Sequence, residues 1–247
     1  MSSYAITGAS KGIGLEYVRQ VAATSANLVL AIVRDPESPA IAKLASGKSN
    51  IHIVKGDVTD PKSLLDAARA VGAITGNKLD VLIHNSNAMD TATAYLSPSQ
   101  IPLDVEATQA MFDLSFRTGI YGSLWTTNAF LPLIENGREK KIVYISTGMA
   151  DLDLITAAGI SYAVPYAVAK AGMNVQVAKY AVELKPKDIK VLALSPGWVD
   201  TWDGRWPPVS VEMIYTDTIA SIRGETPGSD PGSQDHVTAV SESRAGA

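Results

Sequence analysis

Three observations predict an α/β chain folded as one doubly wound parallel sheet of six to seven strands with helices on both faces. Short continuous apolar runs recur at residues 4–7, 28–33, 51–54, 79–83, 141–145 and 189–194, and an unbroken apolar run of strand length is what a strand buried on both faces requires. Helix-like stretches separate them, and strands alternating with helices over short connections build parallel sheets. The first run leads at once into a glycine-rich turn and a helix start, Gly8-Ala9-Ser10-Lys11-Gly12-Ile13-Gly14 followed by Leu15 to Ala23.

The bulk numbers fit one such domain. With 46% hydrophobic and 19% charged residues over 247 positions, the chain can bury a full core, and no apolar run approaches the roughly 18 residues of a membrane span. A net charge of −4 without a basic cluster points away from nucleic acid and anionic membranes. The absence of cysteine excludes disulfides, thiolate catalysis and cysteine-held zinc, and His52, His84 and His236 are too scattered for a metal cluster. The first residues lack the layout of a secretory signal, so a cytoplasmic location is expected.

The glycine turn sets the first chemistry. Backbone N–H groups and the positive end of a helix dipole gather there, which suits a phosphate. Gly8 permits the tight turn, and Gly12 and Gly14 permit close approach of ligand and of helix to sheet. At the end of the second strand, Val33-Arg34 offers a guanidinium that can pair with a 2′-phosphate, where an acidic residue would instead bond a ribose diol. Lys11 adds a second cation, so NADP(H) is expected over NAD(H); Asp35 is the competing reading, since a shift of one or two residues puts its carboxylate on the ribose. The third strand ends in Gly56-Asp57-Val58, and Asp57 is also a candidate cap for a helix over 63–72 that begins near Pro61.

A long helix is expected over 102–133, with Met111, Phe112, Phe116, Ile120, Leu124 and Trp125 spaced for a buried face. After the fifth strand come Ser146-Thr147-Gly148, then Tyr166-Ala167-Val168-Ala169-Lys170 behind Pro165, a residue suited to a helix's first turn. Positions four apart share a helix face, and a cation beside a phenol lowers its pKa from about 10 toward working pH. Tyr162 has no lysine four residues on. Asp151 and Asp153 read as solvated loop charges.

The order Thr7-Gly8-x-x-x-Gly12-x-Gly14, Asp57, Ser146-Thr147, Tyr166-x-x-x-Lys170 and Ser195-Pro196-Gly197 resembles the classical short-chain dehydrogenase/reductase family, with its Rossmann-type fold, from residue 4 to about 201. The resemblance implies a domain over 1–223 that binds NADP(H) through Gly8, Ser10, Lys11, Gly12, Ile13, Gly14, Arg34, Asp57, Val58, Asn85, Tyr166, Lys170, Pro196, Gly197, Val199 and Thr201. It implies catalysis by Tyr166 as general acid, Thr147 as the orienting hydroxyl with Ser146 beside it, and Lys170 holding a ribose. In the family an asparagine of the long helix holds a water of the proton relay, and alignment on the helix end places Ser115 there. His84-Asn85-Ser86-Asn87 stands where the family reads Asn-Asn-Ala-Gly.

The insertion before Tyr166 and residues 195–204 are similar to fungal-type ketoreductases. The expected activity is therefore NADPH-dependent reduction of a ketone or aldehyde on a bulky apolar or aromatic substrate, with Leu152, Leu154, Ile155 and Ile160 as candidate pocket lining and Trp198, Trp202 and Trp206 nearby. A homo-oligomer, dimer or tetramer, is the expected assembly. Asn87, Ser115, Thr147 and the lack of a recognisable seventh strand motivate the alternative, a non-catalytic NADP(H)-binding sensor or scaffold. A helix is allowed over 209–222, and residues 224–247 have the composition of a disordered tail.

Overall fold

The computed structural model describes residues 1–197. Six parallel strands form one sheet: β1 (Ser3–Thr7), β2 (Leu28–Val33), β3 (Ile51–Lys55), β4 (Val81–His84), β5 (Lys141–Ile145) and β6 (Lys190–Leu194), in the spatial order β3-β2-β1-β4-β5-β6. The expected α/β architecture is therefore present, with six strands among the described residues. The order reverses between β1 and β4, where Tyr4 pairs with Val81 and Ile6 with Ile83. Crossovers leave in opposite directions there, which opens a crevice beyond the carboxyl ends of these strands.

Alternate side chains of each strand enter two cores. Leu30, Ile32, Leu82, Ile142 and Tyr144 pack with Leu64, Val71, Phe130, Met173 and Val177 on one face, and Ile6, Val29, Ala31, Ile83 and Val143 pack with Tyr17, Val18 and Ile41 on the other. The helices of the described residues are α1 (Gly12–Val21), α2 (Pro39–Ala45), α3 (Pro61–Thr75), α4 (Val105–Ser115), α5 (Gly122–Glu135), α6 (Leu152–Ala158) and α7 (Val164–Leu184), and α1, α2, α3, α5 and α7 supply these partners. Asp60, not Asp57, caps α3, its carboxylate accepting from Lys62 N at 2.9 Å. The short α2 and α6 were not expected, and Asp151 caps α6 by accepting from Leu154 N at 2.8 Å.

The long helix expected over 102–133 is two helices joined by a π-helical turn, Phe116–Tyr121. Its buried face also differs from the expected apolar stripe. Met111, Phe112, Phe116, Ile120, Leu124 and Trp125 are only partly buried, whereas Ser115, Thr118, Gly119, Ser123, Thr126 and Thr127 are buried. The reason is close approach: small hydroxyl side chains neutralise themselves on backbone carbonyls of the preceding turn, Thr118 on Leu114 O at 2.8 Å and Thr126 on Gly122 O at 2.6 Å. Bulkier side chains are left to the outer flank, where the Phe112 and Phe116 rings meet edge to face at 5.4 Å. Carbonyls loosened by the π-turn find other donors, Ile120 O accepting from Ser123 Oγ and Gln176 Nε2 at 3.0 Å each.

Among the described residues no helix is long and apolar enough to cross a membrane, and no group of three or more acidic or histidine side chains is placed to hold a metal. The readings for Trp198, Val199, Thr201, Trp202 and Trp206, for a helix over 209–222 and for the 224–247 tail lie outside the described residues.

Candidate active site

The crevice beyond β1 and β4 is floored by the glycine turn. Gly8 and Gly12 adopt left-handed φ values of 66° and 53°, which a side chain disfavours. A Cβ on Gly14 would lie 2.3 Å from Gly8 O and 2.6 Å from Asn85 Nδ2, so only glycine lets α1 sit this tightly on the strand end. Lys11 occupies the N-cap of α1 without a side-chain cap, leaving first-turn N–H groups for an anion, and Ser10 and Ile13 are partly buried beside it. This cradle fits a dinucleotide pyrophosphate.

Thr7 ties the cradle to the loop after β4, a role not foreseen from sequence. Its Oγ1 accepts from both Asn85 N and Ser86 N at 3.1 Å, while Asn85 Nδ2 donates to Thr7 O at 3.2 Å. Arg34 is exposed at the end of β2. Asp35, the rival for the ribose, already accepts from Glu37 N at 3.0 Å. Asp57 Oδ1 accepts from Thr59 N and Thr59 Oγ1 at 2.9 and 2.8 Å, which fixes the carboxylate beyond β3, and Val58 is buried next to it.

On the other side of the crevice, β5 delivers two hydroxyls with different fates. Ser146 Oγ donates to Asn174 Oδ1 at 2.7 Å and is buried. Thr147 instead hydrogen-bonds the Tyr166 phenol and accepts from Met149 N at 3.2 Å. The threonine is thus the hydroxyl that faces the crevice tyrosine, and Asn174 on α7 is the unforeseen residue that turns Ser146 away.

Pro165 lies in the first turn of α7, so Tyr166 and Lys170 project from successive turns. Lys170 is buried, and its Nζ donates to Ile145 O at 2.5 Å. The electrostatics differ from the expected pull of an ammonium on the phenol. Burial pushes Tyr166 above its ordinary value, offset in part by the Thr147 hydrogen bond. Burial also pushes Lys170 down from 10.5 to about 7. A lysine this desolvated holds its charge weakly near neutrality, and that removes most of its leverage on the tyrosine.

A testable pH dependence follows from Lys170. Between about pH 7 and 10 the unfolded chain carries a proton that the folded chain has lost, so the stability of the cofactor-free protein rises with pH, by at most about 1.4 kcal/mol per unit. The effect is flat below about 7, where both states are protonated. Above about 10 it is opposed by Tyr180, which burial holds up at about 12. Urea unfolding at pH 7, 8 and 9 should show the rise in the wild-type protein and lose it in Lys170→Met; an equal rise in both would assign it to other groups.

His84 ends β4 fully buried, its ring 5.8 Å from that of Tyr144. Burial, reinforced by the Lys170 charge, pushes it down to about 3, so it stays neutral at working pH, and neither ring nitrogen has a hydrogen-bond partner. Ser115 Oγ donates to Ala88 O at 3.3 Å, a structural engagement with the loop after β4. Asn128 accepts from the Tyr180 hydroxyl at 2.8 Å, well along α5. Pro196 is buried beyond β6, and Gly197 follows with φ of 72°.

A reversing parallel sheet, an anion cradle at its reversal and a threonine–tyrosine–lysine group across the crevice define the class of nucleotide-dependent α/β oxidoreductases. The chain belongs to the short chain dehydrogenase family, whose model matches residues 3–204. It is similar to the short-chain dehydrogenase/reductase atnB of Arthrinium sp., with 42% identity over 201 residues covering 81% of this chain and 76% of that protein. It is 41% identical over 209 residues to AacuF of Aspergillus aculeatus, covering 82% and 76%. Among solved structures, the NADPH-bound carbonyl reductase from chicken fatty liver shares 25% identity over 92% of this chain and 93% of that one, with a TM-score of 0.79. A putative carbonyl reductase, Sniffer of Caenorhabditis elegans, shares 26% identity over 90% and 91%, with a TM-score of 0.72. The chain is therefore an oxidoreductase of this family, which uses a nicotinamide cofactor.

Proposed function

We propose that the protein is an NADPH-dependent carbonyl reductase that converts a ketone or aldehyde into an alcohol. The observation that carries this reading is the hydrogen bond between Thr147 and Tyr166 one helical turn from buried Lys170. A reductase needs its phenol protonated at working pH, and the raised pKa of Tyr166 keeps it so. Tyr166 passes that proton to the carbonyl oxygen, and Thr147 orients the oxygen by hydrogen bonding. Lys170, held on Ile145 O, lies one turn away to hold the ribose. When bound, the cofactor supplies the hydride that reaches the carbonyl carbon.

Arg34 and Lys11, both exposed at the crevice, favour a 2′-phosphate, as does the NADPH bound in the chicken carbonyl reductase. The Gly8 to Gly14 cradle, Asp57, Val58, Asn85, Pro196 and Gly197 would hold the rest of the cofactor. A bulky apolar or aromatic substrate is favoured by α6, which exposes Leu152 at 77% and lays Leu154 over Gly148 beside the Thr147 hydroxyl. Consumption of NADPH followed at 340 nm across aliphatic and aromatic ketones tests the reading. Turnover highest on bulky aromatic ketones is expected, preference for small polar aldehydes would overturn the substrate class, and NADPH binding without turnover on any carbonyl would return the sensor reading.

A further inference from the structure

Two loops that rise beside the crevice meet at a contact that the chemistry itself does not use. Ser97, in the loop after β4, and Ser161, in the segment before α7, hydrogen-bond through their hydroxyls at 2.9 Å across 64 residues of chain. Both ends of this bridge lead to the site. The loop after β4 starts at Asn85, whose amide donates to Thr7 O and Gly8 O in the anion cradle. Ser161 lies in the stretch that runs into Tyr166.

The two sides of the bridge are held very differently. On the β4 side Thr93 and Ala94 are buried, and Ser97 N donates to Gln100 Oε1 at 2.8 Å, which pins Ser97 at the start of the short turn Pro98–Gln100. On the other side α6 buries none of its residues. Its seat is Leu154, which fills the room that a Cβ on Gly148 would take, 2.4 Å from Leu154 Cδ2 and next in chain to Thr147. A helix without buried side chains opens at low cost, since little apolar surface leaves contact when it moves.

The corners beyond α6 suit a pivot. Gly159 turns at φ 63° with nothing within 4 Å of a would-be Cβ, so this corner has room to move. Ala163 turns at φ 57° while buried, a conformation that a residue other than glycine keeps only where its surroundings enforce it. The chain is thus fixed where α7 and Tyr166 begin, free at Gly159, and restrained between these corners by Ser161.

We propose that Ser97 and Ser161 are specificity-determining residues: their hydrogen bond clasps the segment 152–162 down beside Thr147 and Tyr166. Small aliphatic ketones reach the tyrosine with the clasp closed, and bulky aromatic ones only after it opens. One exposed pair of hydroxyls is weak enough to part in each cycle and directional enough to return the segment to one place. The proposal rests on the carbonyl-reductase reading, and one of its two readouts is independent of turnover.

Ser97→Cys/Ser161→Cys tests it in a chain that otherwise has no cysteine. Hydroxyls this close put the two positions within disulfide reach; diamide takes one hydrogen from each thiol to join them, and dithiothreitol reopens the bond. With NADPH, the oxidised variant should lose about 10- to 100-fold in kcat/KM on bulky aromatic ketones and regain it on reduction, with small aliphatic ketones and the NADPH Kd kept within about threefold. The second readout is amide hydrogen exchange of residues 152–162 in the cofactor-free protein. It should slow on oxidation of the double variant and quicken in Ser161→Ala by about two- to tenfold, the range of one neutral hydrogen bond. Folded double variant that forms no disulfide, a loss shared equally by all ketones, or exchange of 152–162 that neither variant changes overturns the proposal. Wild-type protein without turnover overturns the reductase reading alone, and hydrogen exchange then decides the clasp.

Discussion

Tyr166→Phe is expected to lose carbonyl turnover by about a thousandfold, within the range typical of a missing general acid, while NADPH binds with little change. The phenylalanine keeps the ring in its partly buried place on α7 but cannot donate a proton. Thr147 loses its partner across the crevice and is left as a weaker donor to the carbonyl oxygen. The two arms of the experiment separate the chemistry from the fold. NADPH fluorescence reports the cradle at Gly8 to Gly14, some distance along the chain from the change, and steady-state rates report the acid. Turnover within tenfold of wild type would mean that another group protonates the oxygen, and the assigned mechanism would fall.

The second large effect concerns cofactor choice. Arg34→Glu should weaken NADPH about 10- to 100-fold, the range set by losing one charge-assisted hydrogen bond, and should leave NADH binding unchanged or improved. Arg34 is exposed at the end of β2, whereas the neighbouring Asp35 carboxylate is occupied by Glu37 N. A glutamate in its place offers an acceptor to a ribose diol and repels a 2′-phosphate. Because the pair is exposed, the wild-type preference should shrink as salt rises from 0.05 to about 0.5 M, where the Debye length falls well below 10 Å. Equal losses for NADPH and NADH would place the 2′ position elsewhere in the crevice.

The strands and the glycine turn were legible in sequence because their constraints are local. An unbroken apolar hexapeptide such as 28–33 has few other uses, and Gly8, Gly12 and Gly14 are demanded by backbone angles and by a carbonyl 2.3 Å from an absent Cβ. The helix between β4 and β5 was misread for a physical reason. Side-chain size identifies the apolar stripe, but burial here goes to the face that permits the closest approach, and that face is made of serine, threonine and glycine. Ser146 and Thr147 stood as adjacent candidates until Asn174, 28 residues on, claimed the serine. The direction of the Tyr166 shift was also beyond sequence, since burial of phenol and ammonium together decides it and spacing along a helix does not.

The π-turn at Phe116–Tyr121 bears on how this chain tolerates insertion and deletion. A π-turn absorbs one residue more than an α-turn over the same rise, so α4 and α5 can keep their angular phase with or without it. Removal of a single residue from this segment would let the two helices join as one α-helix, with Phe130 and Leu133 still directed into the core. The side chain presented to Asn87, whose Oδ1 would lie 3.3 Å from a Cβ on Gly119, would change at the same stroke. Length variation here is thus nearly silent for the architecture and consequential for the crevice, which makes the segment a place where related chains can diverge in activity without diverging in shape.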